Sequence, residues 1–363
     1  MVIFCACGHR EEVWRQRLTG SRRKYYIRNY FAFSDRRKKV NIIETRKLSK
    51  TYRRVLKGEG LRGSIRSLVK REYEIKEAVK ELDLVVEEGE FVGLIGPNGA
   101  GKTTLTKMLT GIIAPTAGEI SVMGFYPNDL KNDFKRQYAI VMGQKSQLFF
   151  ELTTNDTLRL FQEIYGLSEH VFQETKAYFA ELFQVEELLD VQVRNLSLGE
   201  RMKMELMAAL LHNPRILFLD EPTIGLDAIA SGQIRKFLWK VNRENGTTVI
   251  LTSHYMEDIR ALCDRSVVIS HGTKIYDGGT EDLFEKYQKE RQVSVSFSHP
   301  AVQPDLPAEA VILEDGAYKK IIRIPKEKSG ELLERLMKYH PRDITVEEEE
   351  IGRVVERIYT ENR

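Results

Sequence analysis

Residues 93–105 read "GLIGPNGAGKTTL", and the fold follows from what this run asks of the backbone. Gly96 to Thr103 fit the pattern G-x-x-x-x-G-K-T. It follows an apolar run and opens a helix-forming segment, "KTTLTKMLTGI" at 102–112, which is the context the pattern requires. In such a loop successive backbone N–H groups curl around phosphate oxygens, so side chains must stay out of the way. Gly96, Gly99 and Gly101 meet that need. The helix starting near Lys102 adds the positive end of its dipole, Lys102 reaches for the β- and γ-phosphates, and the Thr103 hydroxyl offers a ligand to Mg²⁺. The whole loop, Gly96, Pro97, Asn98, Gly99, Ala100, Gly101, Lys102, Thr103 and Thr104, is the candidate cradle for a nucleotide. A glycine turn that merely caps a helix gives no reason for the Lys-Thr pair.

Outward from the loop, strand and helix signals alternate. "VNIIETRKLSKTY" (40–52) and "AVKELDLVVEEGEFVGLIG" (78–96) show strand-like alternation or β-branched runs. Between them, over about 53–76, a strongly basic stretch reads as an insertion. "PTAGEISVMG" (115–124) is a turn leading into a strand. Over about 150–212, "LTTNDTLRLFQEIYGL" and "AYFAELFQVEELL" carry apolar residues at three-to-four spacing, as a helical subdomain set into an α/β core would. "ILFLD" (216–220) and "TTVILTS" (247–253) are short, fully apolar runs of the kind found in buried parallel strands. From about 290 to 363 strand-like and helical segments mix, which predicts a small C-terminal α+β accessory domain with a hairpin turn at "EDGAY" (314–318). The "EEEE" run at 347–350 reads as a solvated strand or helix start rather than a metal site.

"RILFLDEPTIGLD" (215–227) then drives an apolar run into Asp220 and Glu221, and soon after into Asp227. A carboxylate ending a buried strand beside a phosphate loop is where an Mg²⁺ shell needs negative charge, which selects Asp220. Glu221, one residue on, could take a proton from, or orient, a water attacking a γ-phosphate. If these acids were only the edge of a turn, no further parts of a hydrolytic site would be expected in order along the chain.

Composition bounds the rest. With 363 residues and 42% hydrophobic composition, the chain exceeds the usual size of one core and suggests a large domain plus something smaller. No stretch approaches the roughly 18 to 20 apolar residues of a membrane-spanning helix, so nothing in the chain should cross a bilayer unaided. The opening "MVIFCAC" lacks a charged leader, and the expectation is a cytosolic chain, soluble or peripheral. Cys5, Cys7 and His9 do not have usual metal-ligand spacing, and the three cysteines make no even framework. Residues 1–80 hold 23 Lys+Arg against 8 Asp+Glu, and the remainder 33 against 45. Such asymmetry can mark contact with nucleic acid, anionic lipid or an acidic partner. For residues 1–39 the expectation is a basic, poorly ordered extension.

Over roughly 40–285 the chain resembles the ATP-binding subunits of ABC transporters, on six elements in that family's order. Tyr52 closes the first strand where the family places an aromatic that stacks on adenine, and "IVMGQ" ends at Gln144 like the Q-loop. "LSLGE" (196–200) is similar to the signature, and "ILFLDEP" to Walker B with its adjacent glutamate. "GLD" ending at Asp227 is similar to the D-loop, and "TSH" ending at His254 to the switch histidine. Singly these are weak: a Gln after a strand is usually just polar, a Tyr packs, a His caps, and Asp227 is also a good helix N-cap.

The resemblance implies an α/β P-loop NTPase of ABC type that hydrolyses ATP with Mg²⁺ as cofactor. It places Glu221, His254, Gln144 and Lys102 in catalysis, and Thr103, Gln144 and Asp220 around Mg²⁺. Ser197, Gly199 and Asp227 would contact ATP across a pair of subunits, since in that family the signature of one completes the site of another. It further implies a second ATP-binding subunit, in a homodimer, and a separate transmembrane permease through which the chain meets the cytoplasmic face of the membrane. No specific nucleic acid is expected. "GQKSQLFFELTTNDTL" (143–158) would form the permease contact, although Phe149 and Phe150 could equally be buried locally. The C-terminal extension and single nucleotide domain look most like the ABC-2 exporter group, of drug or antibiotic efflux type. A rival reading is a soluble ABC-type ATPase acting on nucleic acid or ribosomes, with the basic residues as its contact. Two residues depart from the commonest signature, LSGGQ: Leu198 replaces a glycine and Glu200 the glutamine. The added carboxylate could weaken nucleotide binding or alter turnover.

Overall fold

The computed structural model describes residues 40–56, 72–143, 145–253, 255–300, 303–349, 357, 358 and 360. The expectations for residues 1–39, including Cys5, Cys7 and His9, for the middle of the basic stretch and for most of "IGRVVERIY" lie outside them. β1 (Asn41–Leu56) and β2 (Glu72–Glu87) pair antiparallel along their length, out to Leu56 opposite Glu72. Both ends of the basic stretch thus continue the strands as a ribbon. β4 (Ala117–Val122) joins the other edge of β1, closing a three-stranded sheet in the order β2-β1-β4.

The central sheet has six strands in the order β5-β6-β7-β3-β8-β9. They are β3 (Phe91–Ile95), β5 (Tyr138–Met142), β6 (Ile216–Asp220), β7 (Thr248–Thr252), β8 (Arg265–Ser270) and β9 (Thr273–Gly279). β5 to β8 and β3 are parallel; β9 returns antiparallel to β8. The apolar runs have the cause expected for parallel strands, since both faces are covered. Val92, Leu94, Ile216, Phe218 and Ile250 face a core shared with the three-stranded sheet. Their neighbours Phe91, Ile95, Leu217, Leu219, Val249 and Leu251 face the opposite core, as a period of two demands.

That second core takes in the helical region, α3 (Thr154–Tyr165), α4 (Glu169–Phe183) and α5 (Leu198–Leu210), together with residues of later helices such as Ile234, Leu238 and Ile259. Leu158, Phe172, Phe179 and Met204 lie fully inside it. Three shorter helices join the layers: α1 (Lys102–Leu109) after β3, α2 (Asn132–Lys135) before β5, and α7 (Met256–Leu262) before β8. α6 (Ala228–Asn245) connects β6 to β7, and α8 (Thr280–Tyr287) follows β9.

The last segment holds an antiparallel sheet in the order β11-β12-β10-β13. β10 (Glu290–Ser296), β11 (Val311–Asp315), β12 (Lys319–Pro325) and β13 (Asp343–Glu348) carry α9 (Ser329–Met337) on one face. Val293, Val295, Phe297, Ile322, Ile324, Leu332 and Leu336 form its own core. Alternate burial along β12 follows from having one covered face. The fold is therefore α/β with a helical region and a C-terminal α+β segment.

Candidate functional site

β3 ends at Ile95, and the loop that follows delivers the chain into α1 through a backbone that only small residues allow. Gly101 precedes α1 with φ 114°, and a Cβ there would lie 2.4 Å from the Ala78 carbonyl oxygen. A Cβ on Gly96 would lie 2.5 Å from the Ile269 carbonyl oxygen. Both positions forbid a side chain by close approach. The tight turn at His271 and Gly272, both at positive φ, joins β8 to β9 and braces the loop, with Gly272 N–H donating to Ala100 O at 2.9 Å. The sequence reading passed over this brace, whose signal was a bare "HG" between strands.

Lys102 is 6% exposed. Its Nζ donates to Gly96 O at 2.5 Å and Pro97 O at 3.2 Å. Burial pulls its pKa below the usual lysine value, and the carboxylates of Glu221 and Asp220 pull it partly back. A cavity of about 440 Å³ opens over this lysine. It is lined by the loop from Pro97 to Thr104, by Glu221, and by Tyr52, Glu74, Lys76 and Ala78 of the β1–β2 ribbon. Glu74 and Lys76 were not singled out from sequence. They reach the cavity because β1 and β2 stay paired beyond Tyr52, out to Leu56 opposite Glu72, with Lys76 directly opposite Tyr52. Tyr52 is 41% exposed, and Lys50 Nζ lies 5.5 Å from its ring centroid.

The acidic pair sits at the end of β6. Asp220 Oδ1 accepts from the Thr252 hydroxyl, and its carbonyl accepts from Gly143 N–H at 2.8 Å. Glu221 N–H donates to Thr252 O at 2.9 Å. Glu221 has φ 56°, a left-handed conformation that costs a non-glycine residue on the order of 1–3 kcal/mol and persists only where the surroundings impose it. Gly143 leaves room for it: a Cβ there would lie 2.3 Å from Glu221 O. Gln144 and His254 lie outside the described residues.

Ser197 caps α5 in a reciprocal box. Its hydroxyl accepts from Glu200 N–H at 3.3 Å, while its own N–H and hydroxyl each lie 2.8 Å from Glu200 Oε2. Those two bonds hold the Glu200 carboxyl below the usual glutamate range. Glu200 thus serves the helix start as a capping acceptor. Leu198 lies against Gly225, where a Cβ would come within 3.1 Å of Leu198 Cδ2. A Cβ on Gly199 would likewise come within 3.1 Å of Ala230 Cβ. Asp227 caps α6, accepting from Ala230 N–H at 2.7 Å. None of Ser197, Gly199 and Asp227 is among the described residues that line the Lys102 cavity. Phe149 and Phe150, 49% and 47% exposed, face outward with Leu152.

A buried carboxylate on α5 escaped the sequence reading. Glu205 of α5, 4% exposed, accepts from the Ser146 hydroxyl and from Gln147 N–H at 3.1 Å. Burial raises its pKa.

Strand, glycine loop, buried lysine and an acidic pair ending the next-but-one strand define a P-loop nucleoside triphosphatase. Comparison with known proteins narrows the class. The ABC transporter family matches residues 79–224. The ABC transporter ATP-binding protein NatA of Bacillus subtilis (strain 168) is 34% identical over 216 residues, 60% of this chain and 87% of that protein. The Nod factor export ATP-binding protein I of Rhizobium sp. (strain N33) is 36% identical over 222 residues, 60% of this chain and 71% of that one. Among solved structures, the dimeric post-hydrolysis state of the ATP-binding cassette MJ0796 bound to ADP and Pi superposes with a TM-score of 0.55 at 26% identity, over 66% of this chain and 98% of that one. The chain belongs to the ABC transporter family, as an ATP-binding subunit that hydrolyses ATP. Subunits of this family work with a membrane permease and in pairs.

Proposed function

We propose that this chain is the motor of an exporter, docked on the cytoplasmic face of a separate permease and paired with a second copy of itself. One observation carries the reading: Lys102, the phosphate loop and Glu221 converge on one cavity beside Tyr52. In it the adenine stacks on Tyr52, and the N–H groups of Gly96 to Thr104, with Pro97 and Ala100 shaping the turn, receive the phosphates. Lys102 exchanges its bonds to Gly96 O and Pro97 O for β- and γ-phosphate oxygens. Glu221 orients the attacking water and takes its proton, assisted by His254.

Thr103, Asp220 and Gln144 would hold Mg²⁺. The donor set fits, being a hydroxyl, a carboxylate and an amide oxygen, all hard ligands, and the Thr252 hydroxyl already orients Asp220 by one oxygen. When bound, the ion supplies charge neutralisation at the phosphate oxygens.

Ser197, Gly199 and Asp227 serve the nucleotide of the partner copy, since they stand apart from the cavity of their own chain. Nucleotide held between two copies closes the pair, and loss of the γ-phosphate releases it. Phe149, Phe150 and Leu152 form the face offered to the permease, an exposed apolar patch of the kind that marks a docking surface. Residues 40–285 make the ATP-binding domain and 290–363 an accessory domain. Export rests on relatives such as the Nod factor export ATP-binding protein I; their names also favour transport over action on nucleic acid.

The test separates binding from chemistry. Glu221→Gln is expected to bind ATP normally and to lose turnover by a hundredfold or more, of the order seen when a catalytic proton acceptor is removed. Lys102→Ala is expected to weaken ATP binding itself. Equilibrium binding of a fluorescent ATP analogue and phosphate release check both, and undiminished turnover in Glu221→Gln would remove the proposed base.

A further inference from the structure

Behind the acidic pair lies a carboxylate that touches no part of the cavity yet gathers its surroundings. Asp258 of α7 is 1% exposed, and a carboxylate so placed must be matched by donors. Its Oδ2 accepts from the Thr223 hydroxyl and its Oδ1 from the Arg235 guanidinium at 2.8 Å. The Ser253 hydroxyl stands 3.2 Å from Asp258 Oδ2 and equally 3.2 Å from Tyr255 O, so its one proton serves either. Thr223 and Ser253 are themselves buried.

These donors come from three different segments. Thr223 lies two residues beyond Glu221, within a turn closed by Ile224 N–H to Glu221 O at 3.3 Å and Leu226 N–H to Thr223 O at 3.1 Å. Ser253 follows Thr252, whose carbonyl receives Glu221 N–H and whose hydroxyl donates to Asp220. Arg235 belongs to α6, the helix that Asp227 caps. The turn that follows Glu221 and the strand end that receives its N–H both reach one buried anion, at the residue whose φ of 56° needs external restraint.

We propose that Asp258 is a positioning residue for ATP hydrolysis, holding Glu221 in its strained conformation through Thr223 and Ser253 without contacting the nucleotide. The inference rests on the reading of Glu221 as the group that handles the attacking water. It predicts damage to the chemical step and not to nucleotide capture, because the phosphate loop is braced by Gly272 N–H on Ala100 O and Lys102 is held by Gly96 O and Pro97 O, none of them part of the Asp258 network.

Removing one hydroxyl of the network tests this in the full-length chain. Thr223→Val keeps the volume and deletes the donor to Asp258. It is expected to lower kcat at least tenfold with the KM for ATP within twofold of wild type and an unchanged far-UV circular dichroism spectrum. Thr223→Ser, which restores a hydroxyl, is expected to recover most of the lost kcat. Combined with Asp258→Asn, Thr223→Val should add little further loss, as members of one network are not additive. Wild-type kcat in Thr223→Val, a kcat loss matched by a rise in KM, or no recovery by Thr223→Ser overturns the inference. Glu221→Gln, assayed alongside, keeps the two readings apart. If it loses turnover while Thr223→Val does not, the positioning role alone fails; if it retains turnover, the assignment of Glu221 fails first.

Discussion

His212 shows how a single side chain records its surroundings. Its ring stacks on Tyr165 at 3.8 Å between centroids, 5° from parallel. Nε2 donates to Tyr138 O at 3.2 Å, while Nδ1 is buried with no hydrogen-bond partner among the described residues. Burial therefore favours the neutral ring and pulls the pKa down to about 4. In the unfolded chain the ring takes a proton at a pKa of about 6.5. Between those values the unfolded state binds a proton that the folded state refuses, so stability falls as pH drops through that window. The contribution is whole above about pH 6.5 and lost progressively toward about pH 4. His212→Phe preserves the stack and removes the titration. Thermal melts from pH 7 to pH 4.5 should show a smaller fall in Tm for the variant than for wild type, and parallel curves would contradict the assignment.

α5 links two parts of the site that lie far apart in sequence. Ser197 and Glu200 fasten its first turn, and Glu205 two turns on clamps Ser146 and Gln147, 59 and 58 residues away. The helix thus joins the start of the signature to the loop that follows β5. Glu205→Ala would leave the Gln147 N–H without its acceptor, while the Ser146 hydroxyl keeps Leu148 O at 3.1 Å, costing ~2 kcal/mol. Glu205→Gln, which retains an acceptor oxygen, should cost less. Denaturant melts of the two variants check the order, and equal stability would show that the clamp carries nothing. The same helix start explains Glu200: a carboxylate accepts both the N–H and the hydroxyl of Ser197, so the replacement of glutamine keeps the cap intact.

At the scale of the molecule, the proposed function gives one copy only part of a site. Ser197, Gly199 and Asp227 lie apart from the cavity over Lys102, so on that reading their contact with a nucleotide requires a second chain. ATP turnover per molecule is expected to fall on dilution as pairs separate. Phosphate release measured over a wide range of protein concentration decides it, and constant specific activity in dilute solution would contradict the pairing. The C-terminal sheet has its own core, and the ribbon of β1 and β2 adds Glu74 and Lys76 to the cavity wall. Neither addition alters the order of strands that presents the site.

What was legible in the sequence is what neighbours within a few residues impose. The phosphate loop, the apolar runs of β3, β6 and β7 and the cap at Asp227 depend on local backbone geometry and on a period of two or 3.6, which a linear reading captures. The cavity wall at Glu74 and Lys76, the brace at Gly272, the Glu205 clamp and the Asp258 network were not legible. Thr223 and Asp258 are 35 residues apart, and their pairing has no periodicity to announce it. Only the packing of α6, α7 and the strand ends decides that these groups meet, because a buried charge is tolerated where separate segments bring donors to it at once.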